Sequence, residues 1–216
     1  MKHLKRQKVP TNWPVPRKGT AYVIKPYSNI KNGVPLLIIL RDMLKVAKTR
    51  KEVKRAIHER KILINGRQVR DEKNSAQLFD KITLVPSKKS YKINIAENGK
   101  FKMDEIKESE TNQKIAKIID KKLLKGKKIQ INLSDGRNFI SDIKCNVGDS
   151  VSIDFKNKKI EKCLPMGEGA NVIVFAGKHS GKRGKILKLK KERKMVSLDA
   201  KGEKINVLIR QIMVTE

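Results

Sequence analysis

The sequence contains few acidic residues. Only 22 aspartates and glutamates stand against 52 lysines and arginines in 216 residues, which leaves a formal net charge of +30. A folded chain with this excess repels itself and is stabilised by a polyanion beside it. An ordinary soluble enzyme needs no such charge, and a merely lysine-rich, solvated surface is the weaker explanation. The candidate partners are therefore nucleic acid, an anionic membrane surface or an acidic protein.

Aromatic residues are scarce too, with one tryptophan, three tyrosines and five phenylalanines. This composition argues against an RNA-binding protein that works mainly by stacking bases on a sheet of aromatic rings. Neutralisation of phosphates and recognition of shape are the expected modes of binding.

Long apolar runs and paired cysteines are also missing. No apolar run approaches the ~20 residues of a membrane span, and the longest, Leu36 to Leu40, is too short for the core of a secretory signal. Cys145 and Cys163 lack the C-x-x-C spacing of a metal site. A reduced cytoplasmic protein is the simpler interpretation of these two cysteines, with a disulfide as the alternative.

Catalytic residue patterns are absent from the sequence. The three histidines, His3, His58 and His179, are scattered, and no Ser-His-Asp, paired-carboxylate or metal-ligand cluster surrounds them. We therefore expect no enzymatic activity, no cofactor, no metal and no small-molecule substrate.

The composition changes along the chain and predicts a multidomain α+β protein with four segments. These are a basic extended arm (1–34), a small α+β domain (35–87), a central mostly-β domain (88–168) and a last β domain (169–216). The arm holds eight lysines or arginines, no acid and four of the seven prolines, so we expect it to be extended rather than packed. Trp13 is placed to anchor the arm in a pocket of this protein or of a partner.

Two short helices are predicted at the start of the second segment. Pro35 suits a helix start, and apolar residues then recur at helical spacing from Leu36 to Ala47. Thr49-Arg50-Lys51-Glu52 has the capping-box pattern that begins a second helix. Asn65-Gly66 predicts a tight hairpin, because both residues tolerate positive φ. Together these elements form a platform with one dense basic face.

The rest of the chain is read mostly as short strands. Apolar residues alternate around Ile93, Ile131 and Ile153, with Asn-Gly and Asp-Gly turns between strands, and Val172–Ala176 is a continuous apolar run that also predicts a strand. Residues 104–124 are ambiguous, because the run Ile115, Ile118, Ile119 is typical of a short helix and Leu123-Leu124 of a strand.

A glycine-rich basic loop follows the strand Val172–Ala176. Gly177 to Gly181-Lys182 is one residue too short for a nucleotide-binding P-loop, Arg183 replaces the magnesium-binding hydroxyl, and a strand follows instead of a helix. Nucleotide hydrolysis is therefore excluded. We expect the glycines to let the backbone approach another backbone closely, with lysines and Arg183 neutralising phosphates there.

Four blocks of sequence resemble known families. One resembles the alpha-L RNA-binding motif, through Pro35–Leu40 with Arg41, Thr49–Glu52 and Lys61–Arg67. Residues 172–186 resemble a KOW motif. The flanks resemble the archaeal and eukaryotic small-subunit ribosomal protein family called "four-e", through Lys2–Arg6, Trp13-Pro14, Pro16–Thr20, Lys125–Lys128, Leu133–Arg137 and Val147–Asp149.

The resemblance implies a function and an architecture. An alpha-L domain, a central β domain and an SH3-like KOW barrel would clamp the 5′ region of small-subunit rRNA beside neighbouring ribosomal proteins in the cytoplasm. The form of the opening blocks points to the archaeal branch. The residues expected to bind RNA are Lys2, His3, Lys5, Arg6, Arg17, Lys18, Arg41, Lys45, Lys48, Arg50, Lys51, Lys54, Arg55, Arg67, Lys178, His179, Lys182, Arg183 and Lys185.

Three other functions compete with this interpretation. An RNA-modifying enzyme with an alpha-L domain would need a catalytic domain that residues 87–216 are too short and too basic to provide. A ribosome- or polymerase-associated RNA-binding factor would use the KOW segment for transient attachment. A membrane-surface protein would need an amphipathic helix with a large apolar face, which the sequence lacks.

Overall fold

The computed structural model describes residues 3–28, 30–141, 143–190 and 193–215, without the side chains of 108, 109 and 127. It is mostly β with a few short helices, so the expected α+β class is confirmed only in this coarser sense. The chain divides into two compact units, one of residues 1–95 and 100–112, the other of residues 96–99 and 113–216. None of the helices in the described ranges is long and apolar enough to cross a membrane.

The described residues of the first unit form nine strands and two α-helices. The strands are β1 (Leu4–Lys5), β2 (Tyr22–Val23), β3 (Gly33–Pro35), β4 (Ile62–Ile64), β5 (Arg67–Gln68), β6 (Ser75–Gln77), β7 (Lys81–Leu84), β8 (Lys89–Ile95) and β9 (Phe101–Ile106). They form the pairs β1-β2 and β3-β6 and an antiparallel sheet in the order β5-β4-β7-β8-β9. The helices are α1 (Leu36–Ile38) and α2 (Arg50–His58), with 3-10 turns at Arg6–Lys8 and Glu108–Asn112.

The two helices differ in how closely they follow the sequence pattern. The first ends well before Ala47, because α1 passes into a π-helical segment, Ile39–Met43. The second has the predicted capping box: the Thr49 Oγ1 accepts a hydrogen bond from the Glu52 amide, and the Glu52 carboxylate accepts one from the Lys48 amide at 2.8 Å. That second bond is the main reason why the pKa of Glu52 lies below its usual value. The predicted basic outer face is therefore present on α2, whereas the three residues of α1, Leu36–Ile38, are buried and apolar.

The N-terminal segment is folded, so the expectation of an extended arm is wrong for its described part. Trp13 is 1% exposed, and the Phe101 amide donates to the Asn12 carbonyl at 2.8 Å. The Arg6 guanidinium closes the segment on itself by donating to the carbonyls of Pro16 and Thr20 at 2.7 and 2.6 Å. The prolines shape a compact loop around this guanidinium, and Trp13 anchors the loop within its own unit.

Ten strands lie in the described part of the second unit. They are β10 (Gln113–Leu123), β11 (Ile129–Leu133), β12 (Asn138–Ile140), β13 (Ser150–Asp154), β14 (Lys159–Leu164), β15 (Asn171–Val174), β16 (Arg183–Lys190), β17 (Met195–Ala200), β18 (Glu203–Leu208) and β19 (Ile212–Val214). Two five-stranded antiparallel sheets result, in the orders β12-β11-β10-β13-β14 and β18-β17-β16-β15-β19. Each sheet covers its own apolar cluster, and 3-10 turns lie at Lys125–Lys127 and Ile209–Gln211.

Residues 113–123 form one long strand, so the short helix considered for this region is wrong. The alternation of buried Lys114, Ala116 and Ile118 places these residues on one face of β10. Ile119 follows on the opposite face and is exposed to solvent, and a register shift in the pairing with β11 lies between Ile118 and Asp120. Ile118 and Ile119 therefore lie on opposite faces of a strand. The spacing of Ile115, Ile118 and Ile119 resembles that of a helix although no helix forms.

Cys145 and Cys163 are joined as a disulfide in this structure. Their Cα atoms are 6.2 Å apart, within the range that a disulfide spans. Both residues lie at the apolar cluster under β10, β11 and β13. The simpler expectation of two unpaired thiols is therefore not what the fold presents.

A buried lysine connects the two sheets of the second unit. Lys117 on β10 is 6% exposed, and its ammonium donates to the carbonyls of Ile209 and, at 2.7 Å, Ile212. Nearby, the Val214 amide donates to the Ser150 hydroxyl at 3.0 Å. No carboxylate in the described ranges forms an ion pair with Lys117, and burial lowers its pKa to about 8.

We expect this buried charge to make stability depend on pH. An unfolded lysine has a pKa near 10.4, so between about pH 8 and 10 the unfolded chain binds more protons at this residue than the folded chain. The contribution of Lys117 to stability therefore rises with pH through that window, by up to about 3 kcal/mol. In urea unfolding, the free energy of unfolding of the wild type should rise relative to that of Lys117→Met between about pH 7.5 and 9.5. Lys122→Met, at an exposed position of the same strand, is the control for the loss of one charge. The prediction is contradicted if the free energies of unfolding of the wild type and Lys117→Met differ by the same amount at every pH.

Candidate nucleic-acid interface

The outer face of α2 carries the densest group of predicted RNA-binding residues. Val53 and Ile57 point into the core, which leaves Arg50, Lys51, Lys54 and Arg55 exposed. The Arg50 Nε donates to the buried Glu72 carboxylate at 3.0 Å, and the Lys54 ammonium lies 3.9 Å from the same oxygen. Glu72 therefore fixes two cations of this face in position.

Two further arginines of the helical region are paired with acids next to them. Arg41 makes two hydrogen bonds of 2.9 Å to Asp42, which raise its pKa. Arg55 pairs with Glu59 one turn away at 2.8 Å. By contrast, Lys45, Lys48 and Lys51 are exposed and form no ion pair within the described ranges. The predicted set is therefore divided into paired and unpaired cations.

Two basic clefts beside α2 were not foreseen from the sequence. A cleft of about 240 Å³ has a lining that includes Arg50, His58, Arg70 and Lys73, and also Asp71 and Glu72. A neighbouring cleft of about 410 Å³ shares His58 and Arg70 and adds Arg60. The feature of the sequence that could have indicated these clefts is the pattern of basic residues on either side of Val69, which is buried between them.

The hairpin after α2 is built as predicted. Asn65 and Gly66 both have positive φ, 51° and 73°, and Arg67 follows the turn and is exposed. The Asn65 side chain is buried, donating to Asp80 at 2.7 Å and accepting from the Lys81 amide at 3.0 Å. Arg67 therefore extends from a rigid turn.

The predicted residues of the N-terminal segment are only partly available. Lys2 lies outside the described residues. Lys5, Arg17 and Lys18 are exposed, and the exposed His3 lies with its ring 5.7 Å from that of Tyr22. Arg6 instead uses its guanidinium to hold its own loop.

The glycine-rich loop packs against its own unit. A Cβ on Gly181 would lie 2.0 Å from the Ala96 carbonyl, and one on Gly184 would lie 2.0 Å from the Asp199 carbonyl. The close backbone approach that we expected therefore occurs within the chain. Lys182 pairs with Glu203, and this bond lowers the pKa of the glutamate.

Three cations of this loop remain open to solvent. Lys178, Arg183 and Lys185 are exposed and form no ion pair with a carboxylate in the described part of the chain. His179 is half-buried, and its carbonyl accepts from the Lys182 amide at 3.2 Å. We define Lys178, Arg183 and Lys185 as the loop triad.

A basic ribbon in the second unit was missed. The end of β10 pairs with β11 alone, beyond the part that β13 covers. Exposed lysines occur along this ribbon and its connection at Lys122, Lys125 and Lys128. The ambiguous pattern of 104–124 hid the ribbon, although the Lys-Gly-Lys-Lys run after it was visible. In the described ranges, no cluster of three or more histidines, cysteines and acids could hold a metal ion.

Comparison with known proteins identifies the family. The family described as "Ribosomal family S4e" matches residues 87–160, and the RS4NT domain matches residues 1–28. "Small ribosomal subunit protein eS4" of Methanocella arvoryzae is 36% identical over 87% of this chain and 81% of its own length. The protein of the same name from Methanothermobacter thermautotrophicus is 34% identical over 87% of this chain and 79% of its own. The chain belongs to the ribosomal S4e family.

A solved structure agrees with this membership. The 30S ribosomal protein S4e from Thermoplasma acidophilum superimposes with a TM-score of 0.73 at 26% identity, over 85% of this chain and 95% of that one. The predicted resemblance to a ribosomal protein family is thus confirmed. Proteins of this family are generally non-enzymatic.

In this S4e chain, Arg50 and Lys51 allow a test that separates stability from binding. Arg50→Ala removes the nearer of the two cations that pair with the buried Glu72 and leaves the more distant Lys54, so we expect it to lower the free energy of unfolding by about 2 kcal/mol. Lys51→Ala removes an exposed cation without an acidic partner, and the free energy of unfolding should change by less than about 0.5 kcal/mol. Urea unfolding of both variants measures the difference, and equal losses would contradict a structural role for the Arg50–Glu72 pair.

Proposed function

We propose that this chain is a structural protein of the small ribosomal subunit, which binds rRNA through several basic surfaces and acts in the cytoplasm as part of the ribosome. Similarity to proteins named as small-subunit components, over most of both chains, carries the proposal. The charge of +30 supports it, because a large anionic partner offsets the self-repulsion of such a chain.

The proposal includes the finer architecture. Residues 35–87 would form the alpha-L RNA-binding domain, supported by the pair of helices and the Asn65-Gly66 hairpin. Residues 88–168 would be the central β domain. Residues 169–216 would be an SH3-like KOW barrel, supported by the antiparallel sheet β15–β19 and its glycine-rich loop. Residues 1–34 would be a basic N-terminal segment that contacts RNA through its exposed side.

The mode of binding follows from the exposed cations. Short helices, a rigid turn and a packed loop hold lysines and arginines at fixed positions, which suits phosphates and 2′-hydroxyls of a folded RNA. Each phosphate contact releases counterions, so the logarithm of affinity should fall by about 0.7–0.9 per log unit of salt for each contact. The expected rRNA target is the 5′ region, with neighbouring small-subunit proteins as further partners.

Sedimentation of cell extract in moderate salt tests the proposal. The protein should move with the small subunit, at about one copy per subunit, and leave it only at high salt. Intact small subunits that sediment without the protein would overturn the proposal. Sub-stoichiometric recovery would also do so, and it would favour a transient ribosome- or polymerase-associated factor instead.

A further inference from the structure

An exposed tyrosine is held rigidly at the edge of the helical platform. Tyr27 is 68% exposed, although its hydroxyl donates to the Asp71 carboxylate. The Tyr27 amide donates to the Lys73 carbonyl at 3.3 Å, and the Lys73 amide donates to Asp71 at 3.1 Å. The Lys73 ammonium lies 5.4 Å from the ring centroid. Fixing a ring beforehand lowers the entropy lost when something stacks on it.

Tyr27 lies in the wall of a cleft that has the chemistry of a nucleotide site. The cleft measures about 340 Å³ and is also lined by Ile64, Arg67, Gln68, Val69 and Asn74. This volume is at the lower end of the roughly 300–1,000 Å³ of small-molecule sites. The side-chain amides of Gln68 and Asn74 make no hydrogen bond within the described part of the chain.

We propose that this cleft takes one unpaired nucleotide of the bound RNA, whose base stacks on Tyr27 while Arg67 meets its phosphate. The ring supplies the stacking face, and the two free amides can both donate to and accept from a base edge. Arg67 is exposed on its rigid turn and forms no ion pair in the described ranges. The hydrogen bond to Asp71 also raises the pKa of Tyr27. The inference rests on the proposed function and adds a base-contacting site to it.

Two variants of one residue separate stacking from the hydroxyl contact. Tyr27→Phe keeps the ring and loses the bond to Asp71, whereas Tyr27→Leu keeps an apolar side chain and loses the ring. The full-length proteins are compared in filter binding to small-subunit rRNA transcribed in vitro, over a range of salt. Tyr27→Leu should weaken binding about fivefold to 100-fold, because stacking on one aromatic ring contributes about that much. Tyr27→Phe should stay within about threefold of wild type.

The salt dependence supplies a second readout. Tyr27→Leu should leave the slope of log affinity against log salt unchanged, because no phosphate contact is lost, whereas Arg67→Ala should reduce it by about 0.7–0.9. Tyr27→Leu binding as tightly as wild type would overturn the stacking site, and so would equal losses in Tyr27→Leu and Tyr27→Phe. Photochemical cross-linking in assembled subunits should join Tyr27 to a nucleotide, and a cross-link to a neighbouring protein would overturn it. If the wild type shows no preference for small-subunit rRNA over an unrelated RNA, the proposed function itself fails, and the site fails with it.

Discussion

Replacing Gly181 by alanine is expected to lower the free energy of unfolding by about 4 kcal/mol. Two separate costs add at this position. Gly181 has φ +93°, where a residue with a side chain loses about 1–2 kcal/mol. A Cβ would also lie 2.0 Å from the Ala96 carbonyl, and relieving such overpacking costs about 1–3 kcal/mol. Calorimetry and urea unfolding of the full-length protein measure the loss.

Two other glycines allow the backbone cost and the cost of the clash to be measured separately. Gly136 has φ +83°, and a Cβ added there would meet nothing within 4 Å, so Gly136→Ala carries only the backbone cost. Gly184 lies outside the left-handed region but would place its Cβ 2.0 Å from the Asp199 carbonyl, so Gly184→Ala carries only the clash. The loss in Gly181→Ala should be close to the sum of these two. A loss no larger than that of Gly136→Ala would show that the loop does not approach Ala96 closely.

Local signals in the sequence predicted the local structure well. The Thr49–Glu52 capping box and the Asn65-Gly66 turn depend on interactions between residues at most a few positions apart, and the structure has both. Alternation around Ile131 and Ile153 likewise predicted strands β11 and β13, because one buried face sets a period of two. The continuous apolar run from Val172 predicted β15, whose residues Val172, Ile173 and Val174 are all buried. These features need no knowledge of the rest of the chain.

The failures concern contacts between distant residues. Nothing near Arg6 reveals that its guanidinium will bond Pro16 and Thr20, so a proline-rich basic segment looked extended. Likewise, β10 pairs with β13 up to Lys117 and with β11 from Ile118 onward, and no local pattern in the sequence shows this change of partner. Deleting residues 1–34 would therefore remove the buried Trp13 as well as basic charge, and such a deletion cannot isolate RNA contacts.

The candidate interface could be predicted in kind but not in detail. Lysines and arginines at capped helices and glycine turns are visible in sequence, and most of them are exposed. Their pairing is not visible, because Glu72 reaches Arg50 from 22 positions away. The clefts with Arg70 and Lys73 depend on the same long-range packing. The paired cations stabilise the platform. The charge of the unpaired cations is not offset by an ion pair within the described ranges, so these cations are available to bind a phosphate.

This distinction leads to the largest expected effect on binding. Replacing the loop triad by alanines should weaken binding to small-subunit rRNA about 100-fold to 500-fold at about 0.1 M salt, because each of three phosphate contacts contributes about 0.7–0.9 log units there. The salt slope should fall by about 2–3. Filter binding over a salt series measures both quantities.

A triple variant with the same change of net charge is the control. Lys156, Lys159 and Lys162 are exposed at β14 and the turn before it, and none of them was expected to bind RNA. Their replacement by alanines should cost less than about tenfold in affinity, since long-range attraction alone is screened at this salt concentration. If both triple variants weaken binding equally, the loop is not an RNA contact, and the +30 charge acts as a diffuse field. If only the loop triad matters, the glycines that fix this loop against its own unit position cations for one particular part of the rRNA.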